Sequence, residues 1–436
     1  MQHVTVCEYD YLVQQSDAGD SRCHQVSKPA FDWLLKYGHS QTGKNRDLIR
    51  ATRISGQVAL QVINFVGVMD TPCGTRIEIL PKTVEKDGDI EVARRLLLKM
   101  FLRVNKLPLE MFHNSHLKTV NRPLMEVLIS QFLITLRKLV KRGIRSDYRL
   151  IEEECAYLKG QLQVSKQVRQ RPGKLSHFYI AHDEYLLDRP ENRLLHSALI
   201  CVSKWSRTDT NQRMARELLF VFNEIPGTNN IENDLKQWRN DRSMIHYRPL
   251  KMWCELILRQ QNPLTLLGGF NGVSFLIPME KLFEKYVALT LQRQLPSNLK
   301  LKEQVQSESL SVHNNSPMFK LKPDIVIYEN SNVVSVMDTK WKRVDEYKVN
   351  NKDKYDLSQS DFYQLYAYGE KYMDGVGDIM LIYPKWSRFT KALDVFELSS
   401  SLRLWVVPFD LNLDSLCFDN WQSTIFKSKN IYGKAS

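Results

Sequence analysis

The residues with the clearest chemistry sit in two short segments of the last third of the chain. Lys322-Pro323-Asp324-Ile325-Val326-Ile327-Tyr328 and Val333-Val334-Ser335-Val336-Met337-Asp338-Thr339-Lys340 each read as a strand, and Asn330-Ser331-Asn332 joins them. A hairpin centred on Ser331 sets Asp324 opposite Asp338, because each lies seven residues from that centre. Directly opposed residues are cross-strand neighbours. Side chains alternate along a strand, so Asp338 and Lys340 share a face. Carboxylates held that close repel each other, and a divalent cation resolves the repulsion. A Mg²⁺ ion on Asp324, Asp338 and the backbone carbonyl of Thr339 would polarise a phosphodiester and activate a water, with Lys340 stabilising the developing negative charge. Asp-Thr-Lys alone is a common tripeptide. The Pro-Asp strand start and the hairpin-closing separation are what give it weight, and the reaction expected is metal-dependent phosphodiester hydrolysis.

Two helices are expected to frame this hairpin. The first, from about Pro278 to Leu295, carries an apolar stripe of Leu282, Phe283, Tyr286 and Val287 with Glu284 at its edge. Glu284 either reaches the metal or its water, or is a solvated charge. In the second, from about Ser360 to Met373, Gln364 and Tyr368 are four apart and share a helix face. An amide and a phenol there would orient DNA or Lys340, or simply pack against a sheet.

The rest of the chain divides by hydrophobic period. Residues 1–88 carry short alternating apolar runs, such as Val58 to Val66 and Thr75 to Leu80, punctuated by Gly67, Pro72-Cys73-Gly74 and Pro81. They read as a β-rich N-terminal module with a helix near 29–37. Residues 89–265 change to the helical period, as in Val92 to Phe101 and Leu124 to Val140, with a short strand around Gly160 to Val164. After Gly268-Gly269-Phe270-Asn271-Gly272, residues 266–436 give a helix, strands, a second helix and further strands, an α/β unit.

Composition narrows the function classes. The chain of 436 residues is 43% hydrophobic, as expected of a globular protein with two or three cores. No basic run followed by an apolar stretch opens it, and no run of eighteen apolar residues occurs, so a cytoplasmic protein without membrane contact is expected. The seven cysteines are scattered without a C-x-x-C pair, which suggests neither a disulfide framework nor a zinc ribbon. A net charge of +12 favours polyanionic partners without identifying one.

Two other motifs invite functional readings. Gly38-His39-Ser40-Gln41-Thr42-Gly43-Lys44 fits the start of a phosphate-binding loop, but Asn45 replaces the hydroxyl that would hold Mg²⁺. The preceding Phe31 to Tyr37 looks like an amphipathic helix and not a buried strand, so no nucleotide site is expected here. The acids and arginines of Asp183 to Arg193 read as an ion-paired helix start at Pro190-Glu191-Asn192, not as a second metal site.

The hairpin residues resemble the PD-(D/E)xK nuclease pattern, with the Gln-x-x-x-Tyr helix of its RecB-like branch. More widely, the chain resembles the McrC family, the nuclease subunits of McrBC modification-dependent restriction systems. The likeness includes Ile79-Leu80-Pro81-Lys82, the helix around Leu96 to Met100, Val140 to Tyr148, Leu158-Lys159-Gly160-Gln161-Leu162, Asp183 to Arg193 and Leu381-Ile382-Tyr383-Pro384, and covers about residues 55–390. It implies an α/β restriction-endonuclease-like C-terminal domain behind the β-rich module and the mainly helical middle region. It gives Asp324, Asp338 and Lys340 the family's catalytic roles, and places Glu284 where some members have no acid.

The resemblance also implies partners. These are a GTP-hydrolysing AAA+ hexamer of the McrB type, docked by the N-terminal region and stimulated by it, and double-stranded, methylated DNA cut after translocation in phage defence. Mg²⁺, or Mn²⁺ in its place, would serve this chain, and GTP the partner. Single-strand cutters need two active sites for a double-strand break, so dimerisation of assemblies is expected. The rival readings are a stand-alone RecB-like repair nuclease and a non-catalytic activator of an AAA+ motor. A repair nuclease of the Cas4 kind usually needs four cysteines for an iron–sulfur cluster, and that spacing is missing.

Overall fold

A computed structural model of the chain describes residues 2–15, 22–40, 48–54, 56–82, 90–105, 107, 122–169, 176–259, 274–350 and 352–425. The chain forms two compact units: residues 1–110 with 263–436, and residues 111–262. No described helix is long and apolar enough to cross a membrane.

The first unit carries the N-terminal strands and the site. A four-stranded sheet pairs His3–Cys7 in parallel with Arg76–Leu80, then Phe65–Asp70, then Ser274–Pro278, the last two pairings antiparallel. The fourth strand comes from far down the chain, so the boundary expected at residue 88 divides what the structure keeps together. Gly67 is required where that strand crosses: at φ +131°, a Cβ there would lie 1.9 Å from the carbonyl oxygen of Phe275. A second sheet holds Cys23–Gln25, Tyr11–Val13, Gln57–Val62 and Ile49–Ile54 in that order. The helix expected at 29–37 spans Lys28–Ser40, and the rest of the loop motif after it lies outside the described residues, as does the glycine-rich turn at 268–272.

The helix Ile90–Val104 belongs to this first unit and not to the middle region. Its Leu96, Leu97, Met100 and Phe101 are buried, and Phe101 meets Phe275 edge-on at 5.3 Å between ring centres. Arg94 forks onto Glu78, with Nε donating to Oε1 at 2.8 Å and Nη2 to Oε2 at 2.7 Å. Both side chains are buried, so this pair fastens the helix to the sheet.

The C-terminal sheet of the same unit runs Leu299–Glu303, Ile325–Glu329, Asn332–Thr339, Gly377–Pro384, Leu402–Asp410 and Phe396–Glu397, with Ser415–Leu416 pairing Leu402–Asp410. The first three strands are antiparallel, while Asn332–Thr339, Gly377–Pro384 and Leu402–Asp410 are mutually parallel. Burial of every residue of Gly377–Pro384 marks it as a central strand covered on both faces. The helix Gln359–Met373 covers one face, where Leu365, Tyr368 and Tyr372 pack with Val326, Val336, Ile379 and Leu381. On the other, the helix Met279–Gln294 sets Phe283 and Tyr286 against Phe409.

The second unit is helical with one sheet. Its helices include Leu124–Arg142, Pro190–Trp205, Asp209–Val221 and Arg248–Arg259. The short strand expected near 160–164 is Gln161–Leu162, but it joins two nine-residue strands, Asp147–Cys155 and Phe178–Leu186, that the helical period had hidden. Glu126, buried in the first helix, accepts from Ser206 Oγ, Thr208 Oγ1, Asn211 Nδ2 and the Arg207 amide, which gathers the start of Asp209–Val221. Burial alone would raise its pKa, and these hydrogen bonds outweigh it and hold it low. Pro190 stands at the first turn of its helix, as expected, and Arg193 bridges Asp188 and Asp234 at 2.8 Å each.

Removing one partner of the buried Arg94–Glu78 pair strands the other charge. Arg94→Met is expected to lower unfolding free energy by about 3 kcal/mol in urea titrations, and a loss below about 1 kcal/mol would show that apolar packing alone holds the helix.

Candidate active site

The central hairpin has the register that its sequence suggests. Ile325 pairs with Met337, Val326 with Val336 and Ile327 with Ser335, so Asp324, one step before the first strand, faces Asp338. Past Ile327 the register shifts at a bulge, leaving Tyr328 opposite Val333 and Glu329 opposite Asn332. Asn330 and Ser331, both at positive φ, make the turn. Val326 and Val336 lie in the cluster under the helix Gln359–Met373, and alternation puts Asp324, Asp338 and Lys340 on that same face.

Each carboxylate is held differently. Asp324 Oδ2 accepts from the Thr339 amide and the Thr339 hydroxyl, both at 2.8 Å. Asp338, only 2% exposed, has Lys340 Nζ at 2.7 Å from Oδ2. Lys340 Nζ also donates to Gln364 Oε1 at 3.2 Å, and Gln364 Nε2 to the Tyr368 hydroxyl at 2.5 Å. Gln364 and Tyr368 thus join the lysine in a single chain of donors and acceptors.

Electrostatics follow the geometry. Burial, then Asp324 opposite, push Asp338 up to about 7 despite Lys340. Asp324 is raised by burial, which the Thr339 donors and Lys340 only partly offset. Burial works against the Lys340 charge, but Asp338 beside it outweighs that and raises the pKa. Glu284 is also raised, by burial first and by Asp324 second, and accepts from Gln304 Nε2. The structure therefore brings Glu284 into the electrostatic reach of Asp324 at the edge of the site.

Three further residues belong to this neighbourhood. Asp361, buried one turn before Gln364, accepts from the Tyr383 hydroxyl and from Lys342 Nζ, each at 3.4 Å, and adds to the negative field on Asp338. Its position in the same helix start was the available signal. Trp341, directly after the lysine, donates from Nε1 to Glu8 Oε2 at 2.8 Å and stacks obliquely on Phe283 at 5.1 Å. No sequence signal links Glu8 to a residue so far along the chain.

Among the described residues no cluster of three His, Cys, Asp or Glu side chains gathers around one point. What the described residues offer a cation here is the two facing carboxylates, oxygen donors of the kind hard divalent ions take with several waters.

The McrBC 5-methylcytosine restriction system component family model matches residues 60–384, from the second N-terminal sheet through both carboxylates to the end of Gly377–Pro384. The chain belongs to this family. No curated protein matches it. Two solved structures share the fold of this McrBC-family chain. A chain of the refined half-complex from a tetradecameric assembly of Thermococcus gammatolerans McrB AAA+ hexamers with bound McrC superposes with a TM-score of 0.70 at 19% identity, covering 99% of this chain and 100% of its own length. A chain of the cryo-EM structure of the Thermococcus gammatolerans McrBC complex gives 0.51 at 20% identity, covering 69% and 90%.

Glu8 offers a titration distinct from the site. Its fully buried carboxyl is pushed up to about 8 by burial, which the Trp341 N–H and Lys82 offset only in part. The folded chain thus keeps a proton that the unfolded chain releases above the ordinary value of 4.5. Stability from this group is full below that value and is lost as pH rises through about 8. Glu8→Gln keeps an acceptor for Trp341 and removes the titration. Denaturant midpoints are expected to fall less steeply with pH in the variant, with a wild-type deficit on the order of 5 kcal/mol by pH 9; parallel curves would contradict a buried neutral Glu8.

Proposed function

We propose that this chain is the metal-dependent endonuclease of a McrBC-type restriction system, hydrolysing DNA phosphodiesters on a PD-(D/E)xK fold. The observation that carries the reading is the facing pair Asp324 and Asp338 with Lys340 on one sheet face, its ammonium 2.7 Å from Asp338. Two buried carboxylates whose charge Lys340 only partly offsets fit a divalent cation. Asp324, Asp338 and the Thr339 carbonyl would hold Mg²⁺, or Mn²⁺, with Glu284 reaching its water. When bound, the ion lowers the pKa of an attacking water and takes up charge on the scissile phosphate.

The chain's own residues do the rest. Thr339 fixes the Asp324 carboxylate through two donors, so one metal-facing oxygen is preset. Lys340, kept cationic by Asp338, faces the negative charge that builds on the phosphate. Gln364 takes one Lys340 proton as acceptor and thereby aims the remaining ones, while Tyr368 holds Gln364 in that rotamer. Removing the Gln364 amide would lower turnover more than metal affinity, since it touches the lysine and neither carboxylate.

Family membership supports a restriction role, and the likeness to a chain from an assembly of McrB AAA+ hexamers with bound McrC supports a motor partner. In this reading the partner binds and hydrolyses GTP and translocates double-stranded, methylated DNA. The β-rich N-terminal strands dock on it and stimulate it. Two assemblies meet to cut both strands.

The test is cleavage of methylated and unmethylated plasmid with Mg²⁺ and GTP, with and without the AAA+ partner. Wild type is expected to cut methylated plasmid only with partner and GTP. Lys340→Ala is expected to cut at least a hundredfold more slowly, on the order of what one oxyanion-stabilising group supplies, with GTP hydrolysis retained. Cutting by this chain alone would indicate an autonomous nuclease, and undiminished cutting by Lys340→Ala would remove the site.

A further inference from the structure

Between the strands Leu299–Glu303 and Ile325–Glu329 the chain leaves the sheet and forms a separate hairpin of Ser309–His313 and Ser316–Lys320. Ser309 pairs with Lys320, Ser311 with Met318, Val312 with Pro317 and His313 with Ser316. Asn314 and Asn315, at φ 49° and 59°, make the tight turn that suits a twisted two-stranded ribbon. Apart from the half-buried Ser309, every residue of both strands is exposed.

The exposed residues are of unusual type for solvent. Leu310, Val312 and Met318 are open to water, and Phe319 is 73% exposed. Phe319 also sits at φ 56°, a left-handed conformation that costs an aromatic residue on the order of 1–3 kcal/mol. The hydrophobic effect and backbone sterics thus both act against this arrangement in the isolated chain. From Ser309 to Pro323 there is no acidic residue, while His313, Lys320 and Lys322 supply positive charge. An apolar, acid-free ribbon of this kind complements a polyanion whose grooves admit two strands and whose base steps accept apolar wedges.

Its root is tied to the active site. Leu321 N donates to the Glu308 carbonyl at 2.9 Å, and the Tyr372 hydroxyl donates to the carbonyls of Val305 and Leu321 at 3.1 and 3.3 Å. Gln304 N donates to the Asp324 carbonyl at 3.0 Å. Only Leu321, Lys322 and Pro323 separate the ribbon from Asp324. A duplex lying over Asp324 and Asp338 therefore passes within reach of it.

We propose that the Ser309–Lys320 ribbon enters a groove of the DNA beside the cleavage point, with Phe319 and Val312 pressed against a base step. This rests on the nuclease reading above, and adds how the strand to be cut is held. Lys320 and Lys322 meet flanking phosphates, which position the duplex without reading its sequence.

The experiment uses the full chain and a short labelled duplex, with anisotropy for affinity and 2-aminopurine fluorescence for unstacking of a base step. Phe319→Ser and Val312→Ser alter exposed residues, so folding should persist. Each is expected to weaken binding about tenfold, the equivalent of one aromatic–base contact, and to abolish the fluorescence rise. Phe319→Trp is expected to restore both. Lys320→Gln is expected to reduce the slope of log affinity against log salt by about 1. Equal affinity and fluorescence in wild type and Phe319→Ser, or no duplex binding by wild type, would overturn the proposal. So would a change in sedimentation of Phe319→Ser at unchanged DNA affinity, which would assign the ribbon to contact between copies of the chain. Plasmid cleavage separates the two readings: cutting that persists with Phe319-independent binding removes the ribbon alone, and Phe319-dependent binding without cutting by any assembly removes the nuclease alone.

Discussion

Two carboxylates facing each other across a buried hairpin repel, and every nearby element of this chain is arranged around that repulsion. Burial raises both Asp324 and Asp338 from their ordinary values, and the charge of Asp324 opposite pushes Asp338 up further. The two Thr339 donors and the Lys340 ammonium offset part of the cost and leave the rest standing. A sheet built only for stability would place valines there, as it does two residues after Asp324 at Val326 and two before Asp338 at Val336. In the proposed function this uncompensated remainder would favour a divalent cation, because an ion between the carboxylates would relieve a repulsion already present in the fold.

Precision at such a site depends on how rigidly its strand is carried. The residue after the lysine, Trp341, is anchored on one side by Glu8 of the N-terminal strand and on the other by Phe283 of the helix that bears Glu284. The helix Ile90–Val104 adds a second fastening. Arg94 grips the N-terminal sheet through Glu78, while Lys99 and Arg103 reach Asp414, on which Tyr286 also donates at 2.5 Å. The N-terminal strands and the C-terminal sheet therefore belong to one compact unit, completed by Ser274–Pro278 on its way back from the middle of the chain. A partner gripping the N-terminal strands would act on the Asp324–Asp338 hairpin through packed side chains such as Glu8 and Trp341.

Local pattern made the hairpin legible. Strand alternation and a symmetric separation about Ser331 placed Asp324 against Asp338, and the helical period placed Gln364 and Tyr368 on one face, where the structure joins them to Lys340. The bulge that shifts Val333 and Asn332 was invisible, since it leaves the pairing at the site unchanged. Other features lay beyond local pattern. Asp147–Cys155 runs largely exposed with three consecutive glutamates, so no apolar alternation announced it. The Glu8–Trp341 bond and the strand Ser274–Pro278 join residues far apart in the chain, and only tertiary packing decides such pairings. The exposed Phe319 ribbon read merely as part of a run of strands, because its significance lies in what it fails to bury.

The central claim is that Asp324 and Asp338 together hold one divalent cation, and Mn²⁺ paramagnetic resonance titration of the full chain tests it without requiring DNA, GTP or a partner. The account predicts one saturable Mn²⁺ site per wild-type chain, competed by Mg²⁺, weakened at least tenfold by either Asp324→Asn or Asp338→Asn and retained in Lys340→Ala. Equal Mn²⁺ binding by wild type and both aspartate variants would contradict it.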